Sequence, residues 1–291
     1  MISIILSVLA GIVCSLAYSA LDNATWGIYV AGLFGTIISF VIINRWKQKP
    51  LQEIMMRMQM KLQETQQQIQ KKANHMQSRG GGNPAALQKT AEKMTAKATE
   101  EALEILKEAE QFYKWNFLIE KQIDTYRFQL NYQIKNFEEV DKYIDKVMLL
   151  DASVITMKMA RLYKKNTIDR EALKDEAAKK KALKDWAVTK VYNKGKGRVK
   201  GANAKLIYTT YAWMLNKLGL IDEALAVLIE GQNKTACEIM AQNVDRLRNN
   251  KPKSFSNVKY GDVWYALFLE EPPKVKQKMK RQNPRNAGRP F

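Results

Sequence analysis

Lys194-Gly195-Lys196-Gly197-Arg198-Val199-Lys200-Gly201 comes nearest in this chain to a ligand-binding motif. Alternating glycines let backbone amides approach a phosphate, and Lys194, Lys196, Arg198 and Lys200 supply the positive charge. The stretch lacks the Gly-Lys-Ser/Thr ending of a P-loop and follows no strand, so nucleotide binding is disfavoured. A flexible basic loop that helps hold an anionic surface is expected instead. It lies within a longer basic window, Lys174 to Lys205, which has eleven Lys or Arg against Asp175, Glu176 and Asp185. The tail from Pro272 to Phe291 has seven basic residues, among them Lys276, Lys278, Lys280 and Arg281, no acidic ones and four prolines. It should be disordered in isolation. It could lie on anionic lipid, each Lys or Arg contributing about 1 kcal/mol near the surface, or bind RNA phosphates with a steep salt dependence. Aromatics are scarce in the tail, so base stacking is not indicated.

The remaining chemistry-bearing residues are few. His75 sits in a Gln/Lys-rich stretch with no cysteine or carboxylate cluster around it, which disfavours a zinc or triad site. Cys14 lies in an apolar run and Cys237 in a polar region, so they form no disulfide framework and a reducing compartment is the simpler expectation. No paired carboxylates and no Cys/His nucleophile pair stand out. The chain is therefore expected not to be an enzyme, with no catalytic residues, no cofactor and no metal.

Those residues need elements to position them, and 291 residues are enough for one or two domains with a sizeable core. There are 48 Lys and Arg against 29 Asp and Glu, a net charge of +19, and of the charged residues only Asp22 precedes Arg45. All of the positive excess thus lies beyond residue 44. Such a surface looks for phospholipid headgroups, nucleic acid or acidic protein.

Ile2 to Leu21 and Ala24 to Ile43 are two uncharged runs of 20 residues each. Each can span a hydrocarbon layer of roughly 30 Å at about 1.5 Å per residue. Only Asp22 and Asn23 separate them, so the two helices must return antiparallel. Gly11, Ser15 and Ser19 share one stripe of the first, and Gly27, Ala31 and Gly35 one stripe of the second, which lets the backbones approach. Arg45, Lys47 and Lys49 follow directly while the loop carries no Lys or Arg, so the positive-inside bias places the C-terminal domain in the cytoplasm. Trp26, Tyr29 and Trp46 stand where interfacial aromatics are expected. A cleaved signal peptide is disfavoured because no basic residue precedes Ile2. Asn23-Ala24-Thr25 reads as a glycosylation sequon, but so short a motif beside the membrane is better taken as chance. Uncharged spans mark no ion or substrate pathway, which disfavours a transporter.

Pro50 is expected to open a long polar helix, as proline does at a first helical position. Leu51, Met55, Met58, Leu62, Ile69 and Met76 recur at coiled-coil spacing. Ser78 to Pro84, with three consecutive glycines, should break the helix. Leu87, Ala91, Met94, Ala98, Ala102, Ile105, Ala109 and Phe112 then resume the period, so an antiparallel helical hairpin with a glycine-rich tip is expected. Its methionines are better explained by hairpin packing than by a groove for partner helices.

From about Thr99 to Leu269 short amphipathic helices follow one another. Tyr208, Ala212, Leu215, Ala224, Leu228 and Gly231 succeed one another at steps of four, three, nine, four and three. Gly219 can end one helix and Asp222 can cap the next. A weaker echo lies upstream in Phe137-Glu138-Glu139-Val140, Ile144 and Val147, with Asp151-Ala152 after it and Asn131 at the place of a tyrosine. Val140 and Ala224 are 84 residues apart, so an insertion or a degenerate unit must intervene. Thr235 with Glu238 makes a capping box for a further helix, and Asp262 can cap the apolar run Val263 to Leu269.

These steps resemble a tetratricopeptide repeat. The resemblance covers about half of the chain, with one good repeat. It implies a helical solenoid with a concave surface for peptides or protein helices, a scaffold or adaptor role, and no catalytic residues. By helical position Tyr208, Tyr211 and Asn216 are the candidate partner-binding side chains, with inter-helix packing the stronger reading for Tyr208.

The expected architecture is all-α: a two-pass transmembrane hairpin over 1–46, a coiled-coil-like helical hairpin over 47–120, tetratricopeptide-like repeats with a basic insertion over 121–271, and a disordered basic tail over 272–291. The expected function is a scaffold in a bacterial inner membrane that recruits protein partners into a larger complex at the cytoplasmic face. The alternative is a tether for an RNA-rich particle such as the ribosome, or a protein-insertion factor, working through the basic surfaces. RNA and a second copy of the chain are further partner candidates.

Overall fold

The computed structural model describes residues 2–21, 25–78, 84–115, 117–165, 168 and 175–272. Every regular element among them is a helix, and no strand occurs there. The loop residues Asp22, Asn23 and Ala24, the glycine-rich tip 79–83 and the tail beyond Pro272 lie outside the described residues.

The first two helices, α1 (Ile2–Ser19) and α2 (Thr25–Ser78), each contain a segment long and apolar enough to cross a membrane. They run antiparallel, with Gly11 against Gly32 and Thr36, Ser15 against Gly32, and Tyr18 over Gly27. A Cβ on Gly11 would stand 1.9 Å from Thr36 Oγ1, so only a glycine admits this approach. The Ser15 hydroxyl donates across the pair to the Ile28 carbonyl at 3.2 Å. Of the expected stripe, Gly11, Ser15, Gly27 and Gly35 are at the contact, whereas Ser19 donates within its own helix to the Leu16 carbonyl. Large apolar side chains cover the outside of the pair, among them Val13 at 64 % and Ile42 at 62 % exposure.

Pro50 does not open a new helix: α2 passes through it without interruption. The missing N–H and the ring clash cost of order 3 kcal/mol in a helix interior. Leu51, Ile54 and Met58 are buried just beyond it, and each such burial contributes about 1.5–3 kcal/mol. The packing wins, and residue 46 is not a structural boundary. Beside this part of α2 runs α3 (Pro84–Lys107), antiparallel to it, with Lys61 bonded to Glu101 at 2.7 Å and Arg57 paired with Glu108. Ala98, Ala102, Ala109 and Phe112 are buried on the expected spacing, joined by Leu106.

The next helix, α4 (Phe117–Gln133), joins that core through Ile119, Ile123 and Leu130, and joins the following core through Phe128 and Tyr132. The expected boundary at residue 120 therefore falls inside a helix shared by two cores. Beyond it come α5 (Phe137–Tyr143), α6 (Ala152–Lys165), α7 (Glu176–Asp185), α8 (Ala187–Arg198), α9 (Lys205–Lys217), α10 (Ile221–Thr235), α11 (Glu238–Arg248) and α12 (Asp262–Tyr265). Neighbouring helices pack in succession: α4 on α5 and α6, α6 on α8 and α9, α9 on α10, and α10 on α11. The helices α6, α7 and α8 fill the 84-residue gap between the two similar segments.

Several caps differ from expectation. Gly219, at φ +81°, does end α9, a conformation that costs glycine little. Asp222 lies in the first turn of α10 without capping it. Thr235 closes α10, donating to the Gly231 carbonyl at 2.8 Å, and α11 starts instead after Cys237. Asp262 is the first residue of a four-residue helix and makes no side-chain cap. A further, unexpected cap is Asp151 on α6, accepting from the Ser153 amide at 2.7 Å.

Across α5 and α6, Arg161 grips Asp141 through two bonds of 2.9 and 2.8 Å. This guanidinium holds the Asp141 carboxyl below the usual carboxylate range. A depressed folded pKa means stability that is fully present above the unfolded value near 3.9 and is lost as pH falls through the folded one. Asp141→Asn is therefore expected to lower the melting temperature at neutral pH and to flatten its fall below about pH 4. Thermal melts across an acid series check this, and an unchanged acid limb would sink it.

Candidate functional site

The basic window folds as helix rather than loop. Gly195 is buried in α8, where a Cβ would meet Ile155 Cγ2 at 2.7 Å, and Val188, Val191 and Tyr192 share its buried face. The alternation of glycine and lysine that reads as a phosphate cradle is thus half a close helix crossing. On the opposite face Lys190, Lys194 and Arg198 are exposed at spacings of four, with Lys200 exposed just beyond the helix. Lys190 is an addition to the expected set, and its signal is the four-residue spacing, which has meaning only once the stretch is read as a helix.

Lys196 points elsewhere. Its ammonium lies 3.0 Å from Glu230, which also bonds Lys234 at 2.7 Å, and it stands 4.9 Å from the Tyr192 ring. Two lysines hold the Glu230 carboxyl below its usual range against the burial that would raise it. Lys196 therefore ties α8 to α10 and is already neutralised. Lys276, Lys278, Lys280 and Arg281 lie outside the described residues.

The partner-binding candidates turn out to face inward. Tyr208 is 1 % and Tyr211 5 % exposed. Tyr211 stacks on Tyr192 at 4.1 Å and its hydroxyl shares a 2.7 Å bond with Thr189. Tyr208 packs edge-on to Tyr192 and presses against Gly231. Burial pushes both phenols above their ordinary range. Asn216, half-buried, donates to the Pro252 carbonyl at 3.1 Å. All three serve packing, because α6, α8, α10 and the chain after α11 pack on the middle and end of α9.

The open surface of this region lies at the start of α9. Two adjoining depressions of about 530 and 480 Å³ share Ala202, Lys205, Leu206 and Val263. Cys237, whose sulfur is 3.2 Å from the Tyr260 hydroxyl, lines the larger one. Among the described residues no three His, Cys, Asp or Glu side chains are grouped to hold a metal ion.

The chain matches no protein-family model, no curated protein and no solved structure. What it does must be read from its own surfaces: an apolar helix pair, the basic stripe Lys190, Lys194, Arg198 and Lys200, and the depressions around Leu206.

Proposed function

We propose that this protein is a membrane-anchored helical scaffold that recruits protein partners to the cytoplasmic face of a bacterial inner membrane. The observation that carries it is the continuity of α2, one helix from Thr25 to Ser78 whose first part is apolar and exposed and whose second part belongs to the core of the polar domain. An exposed apolar pair such as α1 and the start of α2 is costly in water and favourable in hydrocarbon. The charge step at Arg45, Lys47 and Lys49 favours the cytoplasmic side for everything after it.

A tetratricopeptide-like array remains our reading of the helical part. It is supported by the nesting of α9 on α10, where Ala212, Ala224, Leu228 and Gly231 are buried at the expected steps, and by Gly219 in its expected turn role. With the tyrosines buried, partner contact falls to side chains at the open depressions.

The tether for an RNA-rich particle is kept as a second reading because Lys190, Lys194 and Arg198 form an exposed stripe on α8. Salt separates the two, since phosphate contacts weaken steeply with ionic strength and a hydrophobic contact does not. The deciding experiment is crosslinking and capture of the full-length protein from native membranes, eluted at low and high salt, with protein and RNA both identified. A defined protein set retained at high salt is the expected result. Ribosomal RNA that dominates at low salt and vanishes at high salt would replace the scaffold with the tether.

A further inference from the structure

The first turn of α1 is bonded to a part of the chain more than a hundred residues away. The Ile2 amide donates to the Lys114 carbonyl at 3.0 Å, and the Ser3 hydroxyl donates to the Trp115 carbonyl at 2.6 Å. Helix-start donors have no partner within their own helix, and leaving them bare at a membrane boundary is costly. The junction between α3 and α4 therefore closes the end of α1.

The same junction reaches α2. The Lys47 ammonium lies 4.4 Å from the Trp46 ring centre and 4.1 Å from that of Trp115. The pairing of Gly11 with Thr36 and of Tyr18 with Gly27 sets Ile2 level with residues 43–45, at the charged end of the apolar segment. Residues 114–115 and the start of α4 accordingly sit at one height with Trp46, which is 68 % exposed. There α4 buries Ile119 and Ile123 and turns Leu118 outward at 45 % exposure, with Lys121 exposed one turn on and Lys114 exposed before it.

We propose that this collar is a lipid-binding surface: Leu118 enters the bilayer interface beside Trp46 and Trp115, and Lys47, Lys114 and Lys121 bind the headgroups of anionic phospholipid. The inference rests on α1 and α2 spanning the membrane. An apolar side chain and indoles ringed by lysines are the composition that favours the boundary between acyl chains and charged headgroups. The collar holds the domain against the membrane at its base, leaving the far end of the α2–α3 pair to project. Two attachments, the spans and the collar, fix the orientation of the helical domain as one alone would not.

The test uses full-length protein carrying Cys14→Ala and Cys237→Ser, with a spin label at Leu118→Cys, reconstituted in phosphatidylcholine with or without phosphatidylglycerol. Collision with oxygen and with a water-soluble nickel complex reads the depth of the label. Labels at Val13→Cys and Gln67→Cys give the hydrocarbon and water references, the latter on the same helix about 31 Å beyond Trp46 at 1.5 Å per residue. The expected result is a label at 118 that is shielded from nickel, lies deeper when phosphatidylglycerol is present, and loses that dependence in Lys47→Gln/Lys114→Gln/Lys121→Gln. A label at 118 that reads as water in both lipids while Val13 reads as hydrocarbon overturns the collar and leaves the spans standing. A depth at 118 that ignores phosphatidylglycerol overturns the assignment of the lysines. If Val13 also reads as water, the membrane-spanning reading falls and takes the collar with it.

Discussion

Trp264→Ala is expected to destabilise the helical domain by about 3–5 kcal/mol, the range for emptying a buried aromatic site. Trp264 is fully buried and lies edge-on to Trp213, with ring centres 5.6 Å apart. Both indoles donate to a single carboxylate, Trp213 to one oxygen of Glu270 and Trp264 to the other, each at 2.8 Å. Nearby the Tyr132 hydroxyl donates to the Leu267 carbonyl at 2.7 Å, and Phe268 stacks on the Tyr132 ring. The chain from Asp262 to Glu270 thus clamps α9 to α4, the first helix of the array. Glu270→Gln keeps the shape but turns an amide donor towards one indole N–H, so about 1–3 kcal/mol is expected from the bond left unmade. Thermal melts followed by far-ultraviolet circular dichroism should rank wild type above Glu270→Gln and that above Trp264→Ala. A Trp264→Ala protein melting within a degree or two of wild type would mean that this segment is not part of the core.

The second large effect is expected at Gly231, and there the sign has to be decided between two terms. Replacing a mid-helix glycine by alanine gains about 0.8–1.0 kcal/mol of helix propensity. At Gly231 the new Cβ would stand 2.7 Å from Tyr208 Cβ and Cγ and from Met240 Sδ. Met240 can give way, but Tyr208 Cβ is fixed to the α9 backbone, so the two helices must part. Overpacking costs about 1–3 kcal/mol, so Gly231→Ala should lose about 1 kcal/mol net and Gly231→Val more, since valine adds bulk and is a poorer helix former. Gly197, also helical, has nothing within 4 Å of its Cβ position. Gly197→Ala should therefore stabilise by about 0.5–1 kcal/mol. The two alanines must shift the melting temperature in opposite directions. A gain at Gly231 would show that α9 and α10 are not in close contact there.

Much of the helical layout was legible because period and punctuation are local properties. The uncharged runs before Arg45, the three-and-four spacing of Leu51 through Phe112, and the turn at Gly219 each need only a few neighbouring residues to state their meaning. Pro50 misled for the same reason. Locally it is a helix starter, yet Leu51, Ile54 and Met58 bury against residues some fifty positions away and carry the helix through it. The basic window misled likewise, since Gly195 is a contact with Ile155 on another helix and not a hinge. The tyrosines at 208 and 211 were placed correctly on a helix, but which side of that helix stays open depends on α6, α8 and the chain after α11, none of which is written into the α9 segment.

Composition and periodicity settled on their own that the described part of this chain is helical, that its apolar load is concentrated before Arg45, and that its positive charge lies after it. These follow from short-range rules: residues a turn apart either share a face or do not. Tertiary structure alone decided that Lys196 is spent on Glu230, that Trp213 and Trp264 meet on Glu270, and that Lys114 and Trp115 close the end of α1. Each of these joins groups separated by 6 to 112 positions, most of them by more than thirty. The free energy that brings such groups together comes from burying whole helix faces, not from any preference of the residues that meet.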